Sequence, residues 1–186
     1  MTSDPKSIQT LKRFAARFPE TEQFLGVLID AISDPNDRAA VVTSVALLEG
    51  AIQRLLVSRL VVSNEATVSD LFGPGGPLRD FSSKIKVAYA IGLVGPKTRG
   101  DLDVIREVRN AFAHTMFPVS FEDTEIANAA SRVTFAKRIT PDAELSQYPP
   151  KAMFCAAVSN LAYGAFFIAE GQRDNQPLPA VVAIAL

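Results

Sequence analysis

Basic excess, a second cysteine and an apolar opening stretch are all missing from this sequence. Nineteen Lys and Arg stand against twenty Asp and Glu over 186 residues, a formal charge of −1. Nothing in that balance would hold a polyanion such as nucleic acid non-specifically. The single cysteine, Cys155, excludes an internal disulfide and points to a reducing compartment. One histidine, one cysteine and scattered carboxylates give no zinc spacing, so no metal or other cofactor is expected. The opening residues, Met1-Thr2-Ser3-Asp4-Pro5-Lys6, carry no apolar stretch of the kind a secretory signal needs. The expected location is therefore cytoplasmic. One uncharged run does occur, the eighteen residues between Lys151 and Glu170. That length is at the lower limit for crossing a bilayer. Alanines, Ser159, Asn160 and Gly164 dilute it and no positive cluster flanks it, so it reads as a buried or interface helix rather than a membrane span.

What is present is an ordinary globular composition, 48% hydrophobic and 21% charged. The length predicts one domain over 1–186 with one sizeable core. Charge is spread evenly, with no acidic tail, basic arm or solenoid repeat. Phe14, Phe18, Phe24 and Leu28 anchor one or two helices near the start, interrupted by Pro19. Asp34-Pro35-Asn36-Asp37 makes a turn in which Asn36 or Asp37 can cap the next helix. Over 38–62, Val41, Val45, Leu48, Ile52 and Leu55 recur at helical spacing. Phe72 to Pro77 is a loop, Asp80 opens a helix to about Ile91, and Gly92 and Gly95-Pro96 end it. A further helix spans about Lys97 to His114 and a short one Glu122 to Arg132. Residues 133–148 fit either a strand-like stretch or a frayed helix, and a long helix follows Pro149-Pro150. Five to six helices without a convincing strand pair predict an all-α bundle.

The helix ending at His114 is two-sided. Leu102, Ile105, Val108 and Phe112 share one face, while Asp103, Glu107, Asn110 and His114 form a polar stripe on another. Arg109 breaks the pattern by projecting from the apolar face. Glu49 is the mirror anomaly, set in the apolar arc of the 38–62 helix between Val45 and Ile52. Two opposite charges misplaced on two core faces predict an Arg109–Glu49 ion pair, architectural or functional. Arg109 and His114 also offer the parts of a metal-independent ribonuclease. The arginine would stabilise a pentavalent phosphate, and the histidine would handle a hydroxyl or leaving-group proton. Geometry resists this: five residues along an ideal helix separate the two by about 140°. Either the helix unwinds near His114 or a symmetry mate completes the site.

The segment Ile105-Arg106-Glu107-Val108-Arg109-Asn110-Ala111-Phe112-Ala113-His114 resembles the signature of the mannitol operon repressor family. Asp70 to Leu78, Phe81 to Lys86, Ala88 to Leu93 and Phe121 to Ile126 follow the same family in order, so the resemblance covers roughly 22–132. It implies a domain similar to the HEPN superfamily, in which Arg, a polar residue, three more residues and His form a ribonuclease motif. Arg109, Asn110 and His114 fit those positions. By the same resemblance Glu49 corresponds to the acidic residue of the preceding long helix.

Other signals are bland. The Gly73–Pro77 loop lacks the Gly-Lys-Ser/Thr of a phosphate cradle, Cys155 reads as a small core residue, and Lys84, Lys86, Lys97, Arg99 and Arg106 read as a solvated rim. Three functions compete. The first is a cytosolic regulator of the mannitol-repressor type, expected to act as a homodimer through protein or RNA contacts. The second is a HEPN-type ribonuclease using Arg109, His114, Asn110 and Glu49. The third is a silent scaffold. No helix pair offers a row of Arg, Lys, Asn or Gln beside a short turn, so direct DNA readout is disfavoured. The residues favour the regulator over the enzyme.

Overall fold

A computed structural model describes residues 21–60, 64–139 and 147–173. Phe14, Phe18 and Pro19 lie outside the described residues, as do Val61, Val62 and most of the 140–148 stretch. The described residues form eight α-helices and no strand. They are α1 (Thr21–Ile32), α2 (Asp37–Arg59), α3 (Glu65–Phe72), α4 (Phe81–Ala90), α5 (Pro96–His114), α6 (Thr124–Ser131), α7 (Phe135–Ile139) and α8 (Pro150–Arg173). The all-α class stands. The count exceeds five to six because two short helices, α3 and α7, carry too few residues to show a period in sequence.

Each boundary has a local cause. The Asn36 side chain accepts from the Ala39 amide at 3.0 Å and starts α2, and Asn64 does the same for α3 through Thr67 at 2.9 Å. Asp80 sits at the N-cap of α4 without a side-chain bond. Gly92, at φ 75°, adopts the left-handed conformation that stops α4. Pro96 opens α5 behind the cap Gly95.

The centre of the bundle is α2 against α8. From α2 come Val41, Val45, Leu48, Ile52 and Leu55, the face read from the sequence, together with Ala40, Ala51 and Leu56. From α8 come Phe154, Val158, Leu161, Ala162, Ala165 and Phe166, all at most 2% exposed. Alanines on both helices let the backbones approach closely. Phe24 of α1 stacks on Phe166 at 4.3 Å, and Phe121 bridges Phe112 and Phe154 at 5.3 and 5.5 Å. Both α2 and α8 are long and apolar enough to cross a membrane, and each places half or more of its most apolar window inside the protein. Mutual burial at the core explains that composition. It buries most of the apolar face of the 152–169 helix and leaves Tyr163 at the surface, 37% exposed.

Polar bonds add to the apolar contacts that hold the short helices, such as the buried Phe135 of α7. Buried Asp101 of α5 receives Arg138 Nη1 at 2.9 Å and the Thr134 amide at 2.7 Å, which fixes α7. Arg138 also donates to Thr98 at 3.2 Å. Lys151 at the start of α8 reaches Asp37 at 2.9 Å and the Asp34 carbonyl at 2.9 Å, joining the N-termini of α2 and α8.

Candidate functional site

Helix α5 is the wall of the site. Its apolar face, Leu102, Ile105, Val108 and Phe112, lies in the core, and this fixes where its charged residues emerge. Arg109 emerges beside α2 and α4, half-buried, with its Nη2 3.6 Å from Glu49 Oε2. The expected ion pair therefore exists, but at a length beyond a direct hydrogen bond. The short bond to Glu49 comes from Lys84 of α4, whose Nζ donates to Oε1 at 2.6 Å. Lys84 is 4% exposed and belongs to no solvated rim. Its side chain shares the buried face of α4 with Phe81, Ile85 and Ala88. The signal was available: a lysine between apolar residues at helical spacing is the same anomaly that singled out Glu49.

Arg109 is steadied by its neighbour, donating from Nη1 to Asn110 Oδ1 at 3.0 Å. Glu49, Arg109 and Asn110 together line one side of a cleft of about 410 Å³. Arg106 lines it too, and Arg79, Asp80, Phe81 and Ser82 close it from the turn that opens α4. That turn is held by a close backbone approach. The Leu78 amide donates to the Leu71 carbonyl at 2.8 Å, and a Cβ on Gly76 would lie 2.4 Å from that same carbonyl oxygen. Glycine at 76 is thus what lets the loop fold back and present Arg79.

His114 is not in this cleft. Helix α5 runs unbroken to His114, with Thr115 as its cap, so the turn of about 140° between Arg109 and His114 is not relieved by unwinding. Its neighbour Ala113 borders a different hollow, of about 520 Å³, with Asp34, Asn36 and Arg38. His114 is exposed and forms no hydrogen bond or ion pair among the described residues. Within one chain, Glu49, Arg109 and Asn110 come together and His114 stands apart.

Just past His114 the chain exposes Met116 at 97% and Phe117 at 77%. Their backbone is held from behind. Arg38 Nη2 donates to the carbonyls of both Thr115 and Phe117, at 2.9 and 3.0 Å. The sequence carries no warning of this, because a short apolar stretch after a helix end does not announce exposure.

Two titratable groups near the start of α2 are shifted. Burial pushes the Asp37 carboxyl upward, but the bond and charge of Lys151 and the Phe121 amide outweigh it and hold the group below its usual range. Cys155 is pushed up to about 11, chiefly by burial, with the Lys151 charge opposing and Asp37 adding slightly. No group of three or more His, Cys, Asp and Glu able to hold a metal occurs among the described residues.

A family model described as mannitol repressor matches residues 28–165. It reaches beyond residue 132, where the resemblance read from the sequence ended. The structure is similar to that of the MtlR–HPr complex from Escherichia coli, with a TM-score of 0.61 and 19% identity over 77% of this chain and 98% of that one. It is also similar to YggD of Shigella flexneri, described as a possible transcriptional regulator, with a TM-score of 0.59 and 19% identity over 80% of this chain and 97% of that one. At such identity the likeness concerns the fold. No curated protein matches the sequence.

Proposed function

The chain belongs to the mannitol repressor family, and from that premise we propose that it is a cytosolic negative regulator of sugar-uptake gene expression. It acts as a homodimer and through protein contacts rather than by reading DNA. The observation that carries this reading is the exposed Met116–Phe117 pair, held in place by Arg38. Large apolar side chains carried in solvent on a backbone already held in place suit the anchors of a protein interface, since less backbone ordering entropy remains to be lost. Two other facts support it. The E. coli protein of similar fold was solved in complex with HPr, a protein. The net charge of −1 gives DNA no general attraction.

Titration of the chain with HPr from the same organism tests the reading directly. Saturable binding is expected, weakened at least tenfold by Met116→Ser with Phe117→Ser. A sequence-specific shift of operator DNA by the chain alone, with no protein binding, would overturn it.

A ribonuclease reading is kept for one reason: Glu49, Arg109 and Asn110 share a cleft, and the sole histidine holds the matching motif position. A second copy must then bring its own His114 to that cleft. Metal-free RNA cleavage lost in both His114→Ala and Arg109→Ala, with folding intact, would put the enzyme ahead of the regulator.

A further inference from the structure

The cleft between α4 and α5 has more positive charge than its own carboxylates use. Three guanidinium groups line it, those of Arg79, Arg106 and Arg109, against the carboxylates of Glu49 and Asp80. Glu49 is already engaged by Lys84 at 2.6 Å, and Arg109 reaches it only at 3.6 Å. Arg106 is looser still. Its Nη2 is 3.6 Å from Glu107, and its Nε, 4.0 Å from Asp103, is buried without a hydrogen-bond partner among the described residues. A buried donor left open on a cation is costly unless an acceptor arrives. Arg79 has no ion pair among the described residues and is exposed at the mouth of the cleft.

The backbone adds to this. The first amides of α4, those of Phe81 and Ser82, have no intrahelical acceptor, and the Asp80 cap gives no side-chain bond. Phe81 and Ser82 both line the cleft, and Ser82 brings a hydroxyl. Planar guanidinium forks, a hydroxyl and helix-start amides together outnumber the acceptors that Glu49, Asp80 and Asn110 offer in the cleft. Their complement is a small, multiply charged oxyanion whose oxygens accept several N–H bonds at once. A volume of about 410 Å³ exceeds what a bare phosphate fills and lies within the range of small-molecule sites.

The geometry points to a ligand site for a small phosphomonoester in this cleft. Arg106 and Arg79 grip the phosphate, Arg109 supports it from the Glu49 side, and Ser82 with Asn110 contacts the polar remainder. The cleft shares no lining residue with Met116 and Phe117, which lie past the end of α5, so it stands or falls apart from the protein-contact reading.

Isothermal titration calorimetry at constant ionic strength, on the full chain, tests it with glycerol 1-phosphate, inorganic phosphate, free glycerol and a short RNA. The expected result is saturable binding of one glycerol 1-phosphate per chain, tighter than inorganic phosphate, with no heat from glycerol. Arg106→Gln should lower that affinity at least tenfold and Arg79→Gln about fivefold. Arg132→Gln, which removes an equal charge at the end of α6, should leave it unchanged. Should Arg106→Gln fail to fold, Arg106→Lys keeps the charge but loses the fork and is expected to bind at least fivefold more weakly. Binding of inorganic phosphate alone, binding of RNA alone, no saturation by either phosphate probe, or equal loss in Arg132→Gln would each overturn the proposal.

Discussion

Glu49 holds two cations with unequal grips. Its bond to Lys84 is short and its contact with Arg109 long, and Lys84 is much the more buried cation. Charge-assisted bonds weaken steeply with distance, and a buried ammonium has no water to fall back on. A double-mutant cycle on unfolding free energy should therefore give a larger coupling for Glu49 with Lys84 than for Glu49 with Arg109. Glu49→Ala alone should cost about 3 kcal/mol, because it strands Lys84. An unchanged unfolding midpoint would show that the cluster is not buried. Sequence alone located Glu49 and Arg109, since each violates its own helix periodicity. It could not rank their partners, because which of two cations lies nearer depends on how α4 and α5 cross.

Cys155 and Asp37 show the same rule of environment. With its thiol pushed up to about 11 by burial, Cys155 has almost no thiolate at neutral pH. A disulfide reagent should leave the native protein unlabelled and react only as it unfolds. Asp37 has the opposite sense. Its folded pKa is lowered, so it contributes stability above its unfolded value near 3.8, and that contribution is lost as pH falls through the folded value. Acid unfolding followed by circular dichroism should show this loss. In Lys151→Met the acid-dependent part should shrink, since the cation that outweighs burial is gone. An identical pH profile in the variant would mean that Asp37 is not linked to Lys151.

At the scale of elements, the long helices were legible and the short ones were not. The spacing of Val41, Val45, Leu48, Ile52 and Leu55 gave α2, and Leu102, Ile105, Val108 and Phe112 gave α5, because a buried stripe repeats over several turns. Helix α7 has five residues and no room for a repeat. What holds it is remote in sequence: Asp101 of α5 binds the Thr134 amide and Arg138. Asp101→Ala should release α7 before the rest of the bundle. Amide exchange over 135–139 is expected to quicken well beyond that of α2, with a stability cost of about 3 kcal/mol for the unpaired Arg138. Uniform exchange across both helices would instead place Asp101 among the residues on which the whole core depends. The cleft falls between these cases. Arg109, Asn110 and Glu49 were readable from periodicity and the family signature, whereas Arg79 joins them only through the fold-back of the loop at Gly76.

For the whole molecule, the question is which surfaces remain to be covered. Helix α8 buries most of its apolar area inside the bundle and leaves Tyr163 37% exposed. More exposed apolar side chains are elsewhere. On α1, Phe24 and Leu28 point inward, while Leu25 and Ile29, one turn apart, are each 48% exposed beside Val27 at 39%. Met116 and Phe117 form a second exposed pair after α5. A two-fold dimer needs a self-complementary patch, and a helix laid antiparallel against its own copy provides one readily. A single projecting Met-Phe edge is better suited to the pocket of a different protein. The two surfaces should therefore be separable. Light scattering at micromolar concentration should give twice the 20.0 kDa chain mass for the wild type and for Met116→Ser with Phe117→Ser. Leu25→Lys with Ile29→Lys should return it to the monomer mass, since two charges at a closed apolar seam have no partner. A monomeric wild type would remove the dimer from the proposed function, and a dimer lost only in the Met116 and Phe117 variant would exchange the roles of the two surfaces.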